Sequence, residues 1–203
     1  MATRSFWGWG VEESAFGEQQ IKQLGNMLSA QFGKLDLEPI TPPSVADLSL
    51  PESRVVPPES LESLFSGDDR DRAGHTYGKA FRDVVRGLDG DFSCAPDLVA
   101  RPGSEQELVD VLDWADGAGV AVIPYGGGSS VVGGVEPRLE GCWQGAVSVD
   151  MERFNQILEV DGQSRAAHMQ AGLYGPALEA GLKPHGYTLR HFPQSFEFST
   201  HAH

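Results

Sequence analysis

Ala95-Pro-Asp-Leu-Val-Ala-Arg-Pro102, Ser104-Glu-Gln-Glu107 and Val120-Ala-Val-Ile-Pro-Tyr-Gly-Gly-Gly-Ser-Ser-Val131 follow one another in close succession, and their order decides the fold. The first is a short apolar run closed by proline, which reads as a strand. The second reads as a capping box, in which Ser104 accepts from the backbone near Glu107 and Glu107 returns a bond. Leu108, Val111, Leu112 and Ala115 then recur at helical spacing, predicting a helix from 105 to about 117 with those four on its buried face. Val120–Pro124 carries no polar alternation and predicts a strand buried on both faces. Strand, helix, strand and glycine loop is therefore the expected sequence of elements.

Downstream, 146–150 reads as a further strand, and 157–160 with 164–170 as a hairpin turned at Asp161-Gly162. Pro176 opens a helix through Leu182, because a first turn does not need the N–H that proline lacks. Upstream, Ile21, Leu24, Leu28 and Phe32 share one face of a helix ending near Gly33. Six prolines between Pro39 and Pro58 fix φ and remove donors, so that stretch is expected to run extended over the domain. From Ser60 to Leu88 a helical patch is expected, broken around Gly74 to Gly78, with Leu61, Leu64, Phe65, Phe81, Val84 and Val85 as its apolar positions. The fold class is α+β, with a helical, proline-rich N-terminal arm over 1–92 and a compact domain over 93–203.

Pro124, Tyr125, Gly126, Gly127, Gly128, Ser129 and Ser130 make an anion-binding candidate. Three successive residues without a Cβ let backbone N–H groups converge, and two hydroxyls add donors. Neither a Walker A loop nor a GxGxxG fingerprint is present, so ATP and NAD are disfavoured. A flexible turn is the alternative for an isolated Gly-Gly-Gly-Ser; the preceding apolar strand and the second pair Gly133-Gly134 argue for close packing against a ligand.

The charge of −14, from 29 acidic and 15 basic residues, disfavours nucleic acid and anionic membrane surfaces. Cys94 and Cys142, far apart and outside any CxxC spacing, suggest neither a disulfide framework nor a zinc knuckle, and fit a cytoplasmic location. The opening residues lack a signal-peptide apolar stretch, and no run reaches the roughly 20 apolar residues that span a bilayer. His201 and His203 alternate as strand ligands would, but no acidic or cysteine cluster accompanies them, so no metal site is expected. His185 and His191 read as exposed or hydrogen-bonded structural residues.

Pro96-Asp97, Arg101-Pro102 with 105–112, and Ile123-Pro-Tyr-Gly-Gly-Gly-Ser-Ser-Val131 together resemble the FAD-binding module of the vanillyl-alcohol-oxidase-type (PCMH-type) flavoproteins. Phe6-Trp-Gly-Trp-Gly10, His75, 150–160 and Pro193-Gln-Ser-Phe-Glu-Phe-Ser-Thr200 are similar to the alkyldihydroxyacetonephosphate synthase family in particular. The resemblance implies that the glycine loop cradles the FAD pyrophosphate and that Gln194, Ser195, Phe196, Glu197, Phe198, Ser199 and Thr200 approach the flavin. Phe196 and Phe198 are equally readable as core, and His75 as an inter-segment hydrogen bond. Some members attach flavin through a histidine in this loop; Tyr125–Ser129 has none, so bound FAD is expected to be non-covalent.

Where the family continues with a hydrophobic residue and Gly-Gly-Trp, this chain reads Thr200-His-Ala-His203. The resemblance therefore implies an incomplete FAD domain without the substrate-binding cap, and no catalytic residue is assigned. For the whole protein it implies ether-lipid-type exchange of acyl for alkyl, with a lipid-like substrate and a homodimer. FAD-linked oxidation of a small 2-hydroxy acid or alcohol, and a non-catalytic fragment, are the alternatives.

Overall fold

The computed structural model describes residues 3–33 and 37–200; His201 and His203 lie outside the described residues. In chain order the elements are α1 (Glu18–Phe32), β1 (Phe65–Ser66), α2 (Asp69–Gly74), α3 (Phe81–Leu88), β2 (Leu98–Ala100), α4 (Glu105–Ala118), β3 (Val120–Tyr125), β4 (Gly145–Asp150), β5 (Ile157–Asp161), β6 (Ala166–Met169) and α5 (Gly175–Leu182). The main sheet has the order β1-β2-β4-β3, with β2, β4 and β3 parallel and β1 antiparallel. A separate antiparallel ribbon pairs β5 with β6. The mixed architecture is the α+β class that the order of elements predicts.

Strands β2 and β4 are buried along their whole length because they lie inside the sheet. β3 corrects the expectation of two buried faces: Val120 and Tyr125 are buried, whereas Ala121, Val122 and Ile123 are half-buried and Pro124 is exposed. It is an edge strand, the position in a sheet that tolerates a proline without a ladder donor. Helix α4 covers the sheet with Val111 and Ala115 against Leu98, Ala100, Val120, Val147 and Val149. Each fully buried valine in this layer is worth about 1.5–3 kcal/mol over an exposed one. Leu112, expected on the same face, is 42% exposed and borders a cleft instead. The cap is also half of what was expected: Ser104 Oγ accepts from Glu107 N at 3.2 Å, but Glu107 Oε2 accepts from Gly103 N at 2.6 Å, not from Ser104.

The stretch from 60 to 88 is helical in α2 and α3 and breaks after Gly74 as expected, but its first part is not a helix of that patch. A 3-10 turn (Glu59–Leu64) leads into β1, where Phe65 pairs with Ala100 and sets its ring 5.1 Å from Trp114. Helix α3 docks through Asp83 and Gly87 and leaves Phe81 85% exposed. The absent side chain at Gly87 is what admits the Trp7 backbone, since a Cβ would approach the Trp7 carbonyl to 2.7 Å. The β5–β6 connection is longer than the expected Asp-Gly turn. Asp161 accepts from Gln163 N and Ser164 Oγ, and Arg165 takes φ of 55°.

The arm is held by specific contacts. Phe6 joins Ala73, Tyr77 and Phe92 in a second core against which Val45, Leu48 and Leu50 of the proline-rich stretch pack. Arg54 donates to Asp97 through N, Nε and Nη2 at 2.7, 3.0 and 2.7 Å, and Asp97 also accepts from Ala146 N at 2.7 Å. Helix α1 forms as its periodicity predicts, yet buries no residue; Leu24 and Phe32 remain 43% and 66% exposed.

Candidate functional site

The three parallel strands end together, at Ala100, Tyr125 and Asp150, and the glycine loop leaves the end of the edge strand β3. Its glycines are buried, but the reason is not the one the sequence suggests. A Cβ on Gly127 would collide with the carbonyl of Phe198, and one on Gly128, whose φ is 65°, with the hydroxyl of Tyr125. Two of the three small residues are thus required by the protein's own packing. Ser129 Oγ meets Ser199 Oγ at 2.8 Å, Ser195 Oγ meets Ser199 Oγ at 2.5 Å, and Tyr174 bridges to Thr200. The two segments read as cofactor-contacting are therefore in contact with each other.

Within the second segment the residues divide. Ser199 and Thr200 are buried, Ser195, Phe196 and Phe198 half-buried, and Gln194 and Glu197 exposed. Phe196 stacks at 5.3 Å on Phe192, and Phe198 sits 6.3 Å from Trp9 of the arm. Both aromatics are therefore at least partly packing residues. Tyr125 turns its ring onto His75 at 4.1 Å and donates its hydroxyl to the Gly74 carbonyl at 2.8 Å. That hydroxyl is committed to the protein, and burial pushes its pKa up.

What the loop leaves uncommitted is its backbone. Gly127 O accepts from Arg4 Nη1 at 3.0 Å and Ser130 O accepts from Lys79 N at 2.7 Å. None of the N–H groups of residues 126–130, by contrast, donates a hydrogen bond among the described residues. Buried backbone donors are nearly always paired, so a run of five without a protein acceptor, three of them on buried glycines, suits an external acceptor. A pyrophosphate, with several anionic oxygens, suits it.

The loop from Gly126 to Ser130 is also the polar wall of an open cleft of about 750 Å3. Leu108, Leu112, Val122, Val149 and Met151 line its apolar side. Few convergent polar groups on an apolar wall, at this volume, is the usual form of a small-molecule or cofactor site.

His75, buried at the end of α2, donates from Nδ1 to the Asp71 carbonyl at 2.7 Å and places Nε2 3.2 Å from Asp150 Oδ2. It thereby ties α2 to the end of β4, as an inter-segment hydrogen bond. Burial would raise the Asp150 carboxyl, but His75 and Arg101 outweigh it and hold the pKa below the usual carboxylate range. Two residues that the sequence left unmarked complete the surroundings. Gly78 lets the chain touch the loop, since a Cβ there would collide with the Ser130 carbonyl, and Lys79 follows it. The one available signal was a glycine directly before a lysine beside Gly74-His-Thr-Tyr77.

This is the fold of an FAD-binding module, and the chain belongs to the FAD-binding domain family, whose model matches residues 96–201, more than half of its length. FAD is the cofactor that this membership assigns. Alkyldihydroxyacetonephosphate synthase of Dictyostelium discoideum is 42% identical over 140 residues, which cover 69% of this chain and 23% of that protein. The Trypanosoma brucei brucei synthase is 34% identical over 129 residues, covering 64% and 21%. A solved alkyldihydroxyacetonephosphate synthase superposes with a TM-score of 0.80 at 28% identity, over 98% of this chain and 42% of that one. The chain thus spans less than half the length of the relatives it matches.

Proposed function

We propose that this chain is the FAD-holding part of an alkyldihydroxyacetonephosphate synthase-type flavoenzyme. The observation that carries the reading is the run of five unclaimed N–H groups from Gly126 to Ser130 along one wall of an apolar cleft. In it the loop amides receive the pyrophosphate, the cleft between α4 and the sheet edge receives apolar surface of the cofactor, and the 194–200 segment approaches the flavin. When bound, FAD supplies an isoalloxazine ring that accepts electrons or a substrate carbon. The chain's own residues bind and orient it: Ser129, Ser195 and Ser199 fix the turn that carries Phe198 and Thr200 against the loop.

The synthase relatives support exchange of the acyl group of an acyl-dihydroxyacetone phosphate for a fatty alcohol as the activity of the whole protein, on a lipid-like substrate. The groups that act on substrate then belong to the portion of those relatives that this chain does not match. We place the arm at 1–92 and the FAD-binding domain at 93–203. A cytoplasmic location is supported by the two free thiols, Cys94 and Cys142. Bound FAD is non-covalent, because no histidine stands between Tyr125 and Ser129. Acid precipitation of the flavin-loaded whole protein tests this reading: released flavin agrees with it, and yellow colour kept in the pellet overturns it.

A further inference from the structure

The arm closes a second cavity, of about 280 Å3, which shares Gly126 and Gly127 with the first cleft. Arg4, Phe6 and Trp9 roof it, and Lys79 and Tyr174 stand in its walls. Most of its charges are matched. Arg101 grips both oxygens of Asp71 at 2.8 and 2.9 Å and reaches Asp150 at 3.5 Å, and Asp150 also faces His75. Arg70 pairs with Glu12 at 2.8 Å.

Two cations are left over. The Arg4 guanidinium donates to the Gly127 carbonyl and lies over the Tyr174 and Phe198 rings, at 4.4 and 5.8 Å from their centroids, and pairs with no carboxylate among the described residues. The Lys79 ammonium has neither a hydrogen bond nor an ion pair among the described residues. Of the remaining acidic groups, Asp83 is held by Ala80 N, Arg82 and Arg86, and Glu152 is exposed at the rim. Burial, and then repulsion from Arg4, lowers the Lys79 pKa to about 8. In a chain with 29 acidic and 15 basic residues, two close cations kept from carboxylates are a costly arrangement unless an anion joins them.

We propose that this arm-covered cavity is a receptor for a phosphate oxyanion, gripped by the Lys79 ammonium and the Arg4 guanidinium. Two neighbouring cations lining one cavity, neither paired with a carboxylate among the described residues, suit a phosphate dianion better than a carboxylate. The phosphate comes either from a dinucleotide's pyrophosphate reaching past Gly126-Gly127 or from a phosphate monoester. The receptor stands whichever face of the loop the flavin occupies.

Calorimetric titration of the full chain with inorganic phosphate, glycerol 3-phosphate and ADP tests it. Saturable binding is expected, weakened about tenfold or more by Lys79→Met, as the loss of a charge-assisted hydrogen bond implies. Lys79→Arg should bind as wild type does, and so should Arg82→Met, which removes an exposed cation outside the cavity. ADP bound more tightly than glycerol 3-phosphate identifies a dinucleotide source; the reverse order identifies a monoester. No saturable binding of any probe up to about 10 mM, beyond the weakest affinity a functional site would need, overturns the proposal. So does a Lys79→Met chain that keeps its circular-dichroism spectrum and binds as wild type does.

Discussion

Gly127 and the carbonyl of Phe198 are in such close contact that no side chain fits between them. This contact joins residues far apart in sequence and makes the glycine loop and the 194–200 turn one unit. The lack of a side chain at Gly127 therefore serves packing, bringing the turn that carries Ser199 and Thr200 against the loop.

Gly127→Ala should consequently destabilise the fold as well as weaken flavin binding. Overpacking of this kind costs about 1–3 kcal/mol, and each kcal/mol lowers the melting temperature by about 2–4 °C in a chain of this size. Thermal unfolding of the flavin-free chain checks it. An unchanged transition would show that the Phe198 turn moves away freely.

Arg54→Ala should strip two donors, Nε and Nη2, from a carboxylate that is almost wholly buried, leaving the main-chain N–H of residue 54 in place. Removing the guanidinium from a buried carboxylate costs about 1–3 kcal/mol. Burial tends to raise the Asp97 pKa, but Arg54 and the Ala146 N–H outweigh it and leave it lowered. A lowered carboxylate adds stability that is present above its unfolded pKa of about 3.9 and lost as pH falls through the folded value. Denaturation between pH 7 and pH 3 should therefore show wild type losing its advantage over Arg54→Ala on acidification.

Lys79 gives the opposite sign. Its folded pKa, lowered to about 8 by burial and then by Arg4, lies below the unfolded value of about 10.4. The unfolded chain binds more protons in that interval, so stability rises with pH from about 8 to about 10.4. Lys79→Met should melt higher than wild type at pH 7, and the difference should shrink across that window. A constant difference would mean that Lys79 is fully charged and well solvated.

Local periodicity made α4, β2, β4, the ribbon and α5 legible, because their burial repeats along the chain. Position in the sheet was not legible: Val120–Pro124 looks like a central strand, and only the pairing order makes it an edge. The two-residue strand at Phe65 is too short to carry a pattern, and α3 docks through Asp83 and Gly87, which no apolar stripe marks. The glycine loop was legible as a candidate, whereas its contacts were not. Arg4 and Gly127 are 123 residues apart, and the need for glycine at 127 and 128 arises from Phe198 and Tyr125, not from a ligand. The cation pair of Arg4 and Lys79 exists only because the arm folds back over the loop.

In the proposed function the N–H groups of Gly126 to Ser130 donate to the FAD pyrophosphate. An amide-resolved NMR titration of the isotope-labelled chain with FAD measures this directly. Binding is expected to be weak in this chain alone, because a cleft open on one side leaves much of the cofactor in solvent. At high FAD concentration the five amide resonances from Gly126 to Ser130 should move together, downfield, as charge-assisted hydrogen bonds form. If all five stay in place while FAD saturates, or while resonances elsewhere shift, the loop is a structural turn and the account is wrong.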